Sequence, residues 1–406
     1  MTGFRSVVRS APMRHRFADP KDAREATARK PVVAAIDRFW KAFAKKTKEL
    51  DALFAGRIKW DLPKWMQVYL GAVDRRLMWE YGPALGGKKG HRLVVTAESK
   101  LELRPLVDLL LARAPRLAGW QFLAHRPAEA LEELEPTLTG RTGRGAPPMR
   151  IVVQPEDDAL TLMFHIEGCT GDDDEAANAT AYVTAVVLLG EEMLETWVVT
   201  IGVAPLEAAP RTAVPVAKLA KTFAAAVRKQ LAKVPRGPSR GVRRSRSVTL
   251  LESKPERRKL YPGREDGFVF VTARTDILVA SGQPYPFASA RFSRAGETFA
   301  YVKIDGKGGP TDSSFEDRED IENAVDDVLR PKKLGVVFGG GTGLRHSYVD
   351  LAHEDVVRGV AAVRAALRKG GLPKRSWILF FDDALAAEWV GIYDDSPPPP
   401  GLAARR

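Results

Sequence analysis

The densest group of chemically capable side chains lies in "FGGGTGLRHSYVD" (338–350), where Arg345, His346, Ser347, Tyr348 and Asp350 follow four glycines. Alternate residues of a strand share a face, so His346, Tyr348 and Asp350 project to one side and Ser347 and Val349 to the other. An imidazole, a phenol and a carboxylate on one face can exchange protons with a substrate, which makes a hydrolase-like centre at His346, Tyr348 and Asp350 one reading. A solvated polar face, or a contact face for a partner through Arg345, His346, Tyr348 and Asp350, is the competing reading. A second group, "FFDDALAAEWVGIYDD" (380–395), sets Asp382 and Glu388 near Trp389. That acidic, aromatic surface suits a basic partner.

The glycines do not make a phosphate loop. A dinucleotide fingerprint needs G-x-G-x-x-G opening directly into a helix, and a P-loop needs Lys followed by Ser or Thr after its last glycine. Here Leu344-Arg345 follow Gly343 and the next segment reads as a strand. The glycines are therefore expected in a hairpin connection with positive-φ positions. The histidines 15, 91, 125, 165, 346 and 353 form no i, i+2 or i, i+4 pair. The acids of "CTGDDDE" (169–175) lack the spacing of a calcium loop and suit a helix N-terminus. Neither a metal nor a cofactor is expected. Cys169 is the only cysteine, so no intramolecular disulfide can form, which fits a reducing cytosol.

The elements that must position these groups follow from periodicity. Residues 31–55 and 63–80 read as amphipathic helices. After them come a strand (91–97), a helix (103–114), a strand (119–124), a long loop to about 149, two strands around "PEDD", a helix (176–190) and a strand (196–203). The C-terminal part reads strand (299–304), helix (313–329), strand (334–338), strand (346–352), helix (354–370) and strand (376–381). Each half thus reads β-α-β-β-α-β. The expectation is an α+β chain of two tandem ferredoxin-like domains with an N-terminal helical extension. Its parts are a basic tail (1–30), a helical extension (31–85), a first domain (86–210), a basic helix and linker (211–264), a second domain (265–395) and a proline-rich tail (396–406).

The net charge of +12 is uneven. Residues 211–264 hold sixteen Lys and Arg against two acids. Arg236, Arg240, Arg243, Arg244 and Arg246 could hold phosphates without sequence preference, although no aromatics interleave to stack bases. No apolar run is long enough to span a bilayer, and the N-terminal stretch lacks the apolar core of a secretory signal. The chain is expected in the cytoplasm, away from membranes.

Two stretches, "LMWEYG … LVVTAESKLELRPLVDLLLARAPRLAGWQF" and "GGGTGLRHSYVDLA … SWILFFDDALAAEWVGIYDD", resemble uncharacterised bacterial proteins of a domain-of-unknown-function family. The resemblance implies a bacterial cytosolic protein and a shared fold; it brings no activity, cofactor or catalytic residue. The reading that best fits the sequence is a non-catalytic binding protein, regulatory or toxin-neutralising like an immunity protein, with a protein partner. Nucleic-acid binding through 211–264 is the alternative, and a hydrolase-like enzyme at His346, Tyr348 and Asp350 the third.

Overall fold

A computed structural model describes residues 13–18, 22–241, 248–257, 260–306 and 313–402. The fold mixes helices with three sheets. Contacts divide it into two compact units, Val32–Val234 and the combination of Met1–Pro31 with Pro235–Arg406.

Helix α1 spans Ala23–Phe54 and buries Ala35, Ile36, Phe39, Trp40, Phe43 and Leu50 along one stripe. Helix α2 (Leu62–Tyr69) starts on Asp61, whose carboxylate accepts from Lys64 N. Strands β1 (Met78–Pro83) and β2 (His91–Thr96), helix α3 (Arg104–Ala112) and strand β3 (Trp120–Leu123) build a sheet in the order β1-β2-β3. A second sheet follows from α4 (Leu134–Thr142), β4 (Met149–Pro155), β5 (Leu160–Ile166), α5 (Glu175–Leu189), α6 (Glu191–Trp197), β6 (Val198–Pro205), β7 (Val214–Pro215) and α7 (Leu219–Ala232). Its order is β6-β5-β4-β7. Helix α7, rich in Lys and Arg outside, seats Leu219, Phe223 and Val227 in the core of this sheet.

Three differences from the sequence reading arise here. The strands of 86–210 fall into two sheets, because β2 pairs with β1 on one side and β3 on the other, while β5 and β6 pair around α5 and α6. The helix expected over 63–80 stops at Tyr69, because Met78–Pro83 pairs antiparallel with all of β2. The long loop before 149 contains α4, which buries Leu134 and Leu138 and stops at Gly143, whose φ of 71° supplies the left-handed cap. Pro136 masked this helix in the sequence, yet the first turn tolerates proline.

The other unit holds β8 (Thr249–Glu252), β9 (Gly267–Thr272), α8 (Thr275–Ala280), β10 (Thr298–Asp305), α9 (Arg318–Leu329), β11 (Gly335–Gly343), β12 (His346–His353), α10 (Val356–Lys369), β13 (Ser376–Phe380) and β14 (Val390–Gly391). They form one seven-stranded sheet, β14-β13-β10-β12-β11-β9-β8, antiparallel at every pairing. Helices α9 and α10 are capped by Asp317 and Asp355 and cover one face over Val302, Ile304, Val349, Leu351 and Ile378. The opposite face is aromatic, with Phe270, Phe299, Tyr301, Tyr348, Trp377 and Phe381 buried together. Ile277, Ala280, Phe287 and Phe292, from the segment after β9, pack over that face, and Leu402 packs there too.

The glycines are the largest departure from expectation. Gly339, Gly340, Gly341 and Gly343 lie inside β11, and none has positive φ. The hairpin turn is only Leu344-Arg345. Glycine is required here by close approach: a Cβ on Gly341 would sit 2.2 Å from the Phe270 ring, and one on Gly340 would sit 2.5 Å from Glu322 Oε1. Gly341 pairs with Tyr348 in the ladder, so the bare stretch of β11 lies beside the polar residues of β12.

Candidate functional site

The alternation read from the sequence holds: His346, Tyr348 and Asp350 share one face of β12. That face is not solvated, since all three side chains are buried. Across the ladder Lys303 pairs with Tyr348 and Tyr301 with Asp350, so β10 adds a second row of polar and aromatic groups.

The segment 261–266 fills the trough. Asp266, fully buried, gathers the hairpin tip: its Oδ2 accepts from Arg345 N at 2.9 Å, His346 N at 3.0 Å and His346 Nδ1 at 3.1 Å. Its Oδ1 accepts from the Tyr348 hydroxyl, and its backbone carbonyl from Leu344 N at 2.9 Å. Burial alone would raise the Asp266 carboxyl, but the donors from His346, Tyr348 and Arg345 outweigh it and hold it at about 2. An ionised carboxylate only accepts, so the His346 proton sits on Nδ1. Burial, with the Asp266 charge beside it, pushes the Tyr348 phenol far above its ordinary range.

Arg264 lies next to this knot. Its guanidinium is 4.6 Å from the Phe270 ring, 5.1 Å from Tyr348, 5.3 Å from Tyr301 and 5.4 Å from Phe381. Its Nη1 is 2.7 Å from Asp350 Oδ1. Desolvation raises the Asp350 carboxyl, and Arg264 counters that in part. Lys303, fully buried, donates to the Tyr261 and Gly263 carbonyls. Four buried groups of β10 and β12 thus fasten one loop, and the three candidate acids or bases, His346, Tyr348 and Asp350, are all engaged in that task.

Beside Arg264 opens a cavity of about 660 Å³. The sheet face lines it with Phe270, Tyr301 and Phe381; α8 and the loop 281–287 close it. The loop is tied down by Asp383, whose Oδ2 accepts from Phe287 N at 2.6 Å. Asp382 accepts from Ser289 N at 2.7 Å and from the Ser289 hydroxyl, and burial nevertheless raises its carboxyl.

Glu388 and Trp389 hold a different segment. Glu388 is buried and accepts from His15 N, Arg16 N and Phe17 N at 2.6, 3.1 and 2.8 Å. Arg14 lies 3.7 Å from the Trp389 ring centre and donates to its carbonyl at 2.7 Å, while Phe17 stacks on Phe380 at 4.6 Å. The surface expected to receive a basic partner therefore receives the chain's own residues 14–17, and Asp382 is not part of it. Of the basic candidates, Arg240 pairs with Glu354 at 2.9 Å and Arg236 is exposed. Arg243, Arg244 and Arg246 lie outside the described residues.

Arg264, Asp266 and Lys303 were missed by sequence reasoning. Lys303 carried a signal, as the one charged residue inside the apolar run "FAYVKI". Arg264 and Asp266 carried none, because they sit at the end of a basic stretch and their partners are about eighty residues away. Among the described residues no group of three or more His, Cys, Asp or Glu side chains is placed to hold a metal ion, and no helix is long and apolar enough to cross a membrane. Comparison with protein-family models, curated proteins and solved structures finds no match.

Proposed function

We propose that this chain is a non-catalytic, regulatory binding protein of the bacterial cytoplasm that acts by contact with a partner protein. The supporting observation is the engagement of His346, Tyr348 and Asp350 by Asp266 and Arg264. A general acid or base must reach a substrate proton, and these groups are buried under the chain's own loop. The regulatory form is favoured over the toxin-neutralising one because the cavity beside Arg264 offers room for an effector. The finer fold belongs to the same proposal. The order β13-β10-β12-β11, with α9 and α10 on one face, is the arrangement of a ferredoxin-like core extended at both edges.

The test is gentle purification of the tagged chain from its source cells, followed by gel filtration. A stoichiometric protein partner is the expected result. Hydrolysis of model esters or phosphoesters that is lost in His346→Ala, with no partner recovered, would overturn the reading.

A further inference from the structure

The seven-stranded sheet ends differently at its two edges. At one end β14 is two residues long and both are buried; just before it, the Trp389 carbonyl accepts from Arg14. At the other end β8 is exposed at Thr249, Leu250 and Glu252. Leu250 is 60% exposed and Val248, just ahead of the strand, 50%. Edge strands are usually guarded by lysine, proline or a bulge. Thr249-Leu250-Leu251-Glu252 has no such guard.

The ladder fixes which backbone groups of β8 face outward. Ser253 N donates to Phe268 O at 2.9 Å, and Glu252 stands opposite Val269. Ser253 and Phe268 are therefore a hydrogen-bonded pair, and in an antiparallel ladder such pairs alternate with unbonded ones. Thr249 and Leu251 bond to β9, whereas Leu250 and Glu252 turn N–H and C=O away from it. The far side of β9 keeps the same phase, since Ala273 N donates to Phe338 O. Among the described residues the outward groups of Leu250 and Glu252 have no hydrogen-bond partner. They form a row of donors and acceptors at strand spacing. A peptide backbone matches both kinds of group, while a phosphate backbone offers acceptors only.

Side chains and charge define the partner. Leu251 stands opposite Phe270, so Leu250 lies on the other face, opposite Val271. An added strand would set an apolar side chain beside Leu250 and Val248. Residues 240–259 hold eight Lys and Arg against two acids. Of these, Lys254 and Arg257 are exposed and pair with no carboxylate among the described residues. Two copies joined antiparallel through β8 would bring Arg246 of each chain toward Lys254 of the other, which like charge opposes. An acidic strand meets no such cost.

We propose that β8 is the docking edge of this protein, where an extended segment of a partner protein, with apolar and acidic residues alternating, adds to the sheet as a further strand. The inference rests on the binding-protein reading and names its contact surface.

Fluorescence anisotropy of the full chain with a labelled octapeptide of alternating valine and glutamate tests it. The peptide is expected to bind. The same peptide with prolines in place of its valines, and one of alternating valine and lysine, bind at least about tenfold more weakly, the cost of roughly one lost hydrogen bond or more. Leu250→Pro removes only an N–H that points away from β9, which edge strands tolerate, and weakens binding about tenfold. Glu252→Pro does the same should the first variant fail to fold, with circular dichroism as the check on folding. No binding of the valine–glutamate peptide, equal binding of either control peptide, or binding unchanged in the folded proline variants would each overturn the proposal. A dimer of the chain that is lost in Leu250→Pro would give the edge to a second copy, and displacement of the peptide by a single-stranded oligonucleotide would give it to nucleic acid; either also overturns it. A partner complex that survives Leu250→Pro removes the docking edge alone; absence of both peptide binding and any partner removes the binding-protein reading as well.

Discussion

Asp266 Oδ2 lies 3.1 Å from His346 Nδ1, across eighty residues of chain. This contact ties the loop before β9 to the first residue of β12. It turns a histidine with the look of a catalytic base into an anchor.

Replacing Asp266 by Asn converts one acceptor oxygen to a donor facing Arg345 N and His346 N, or facing the Tyr348 hydroxyl. A loss of about 3 kcal/mol is expected, measured as a shift of the urea midpoint with unchanged slope. The pH sign follows from the lowered carboxyl. The folded value of about 2 lies below the ordinary 3.8, so the contribution is fully present above that ordinary value. It is lost as pH falls toward 2. The Asn variant should show a flatter acid limb over that window.

Gly341→Ala places a methyl against the Phe270 ring, with overpacking of about 1–3 kcal/mol expected. In a Phe270→Leu background the same substitution should cost at least about 1 kcal/mol less, since the two positions share one contact. A double-mutant cycle by chemical denaturation measures the coupling. Additive losses would mean that the glycine serves some other purpose.

Arg264→Met leaves Asp350 buried without its cation and should destabilise by about 3–5 kcal/mol. The double variant Arg264→Met with Asp350→Leu removes both charges from an aromatic surround and should recover most of that loss. Thermal melts of the three variants at pH 7 decide it.

His353 is fully buried and neither ring nitrogen has a hydrogen-bond partner. Burial lowers it to about 4, against a weaker opposing effect of Asp355. The unfolded chain therefore takes up a proton that the folded chain refuses, and stability falls as pH drops from 6.5 toward 4. His353→Leu should remove up to about 1.4 kcal/mol per pH unit of slope in that window and leave stability at pH 7 unchanged or higher.

Glu388→Gln keeps one acceptor and loses the charge that gathers His15 N, Arg16 N and Phe17 N. The fold should persist. The segment 14–17 should open more often, so that trypsin cuts after Arg14 and Arg16 about tenfold faster, as a loss of about 1.4 kcal/mol in local stability implies.

Much of the second unit was legible in the sequence because its signals are local. Period-two alternation placed His346, Tyr348 and Asp350 on one face. Apolar stripes marked α9, with a Ser or Asp cap that Asp317 supplies, and α10, closed at Gly370. The apolar run at 376–381 announced a buried strand. Tertiary structure alone decided what those signals are for. Alternation assigns residues to faces but cannot say what covers a face, and here the cover is a loop from the end of a basic stretch. Glycines in a row read as a turn, because the sequence shows freedom of backbone and does not show the Phe270 ring and the Glu322 carboxylate that need the space. In the first unit, strand order depended on which edges found each other, and β1 joined β2 over a segment whose composition had passed for a helix end. Local chemistry fixed the elements; the long-range pairings of Asp266, Arg264, Lys303 and Glu388 fixed the site.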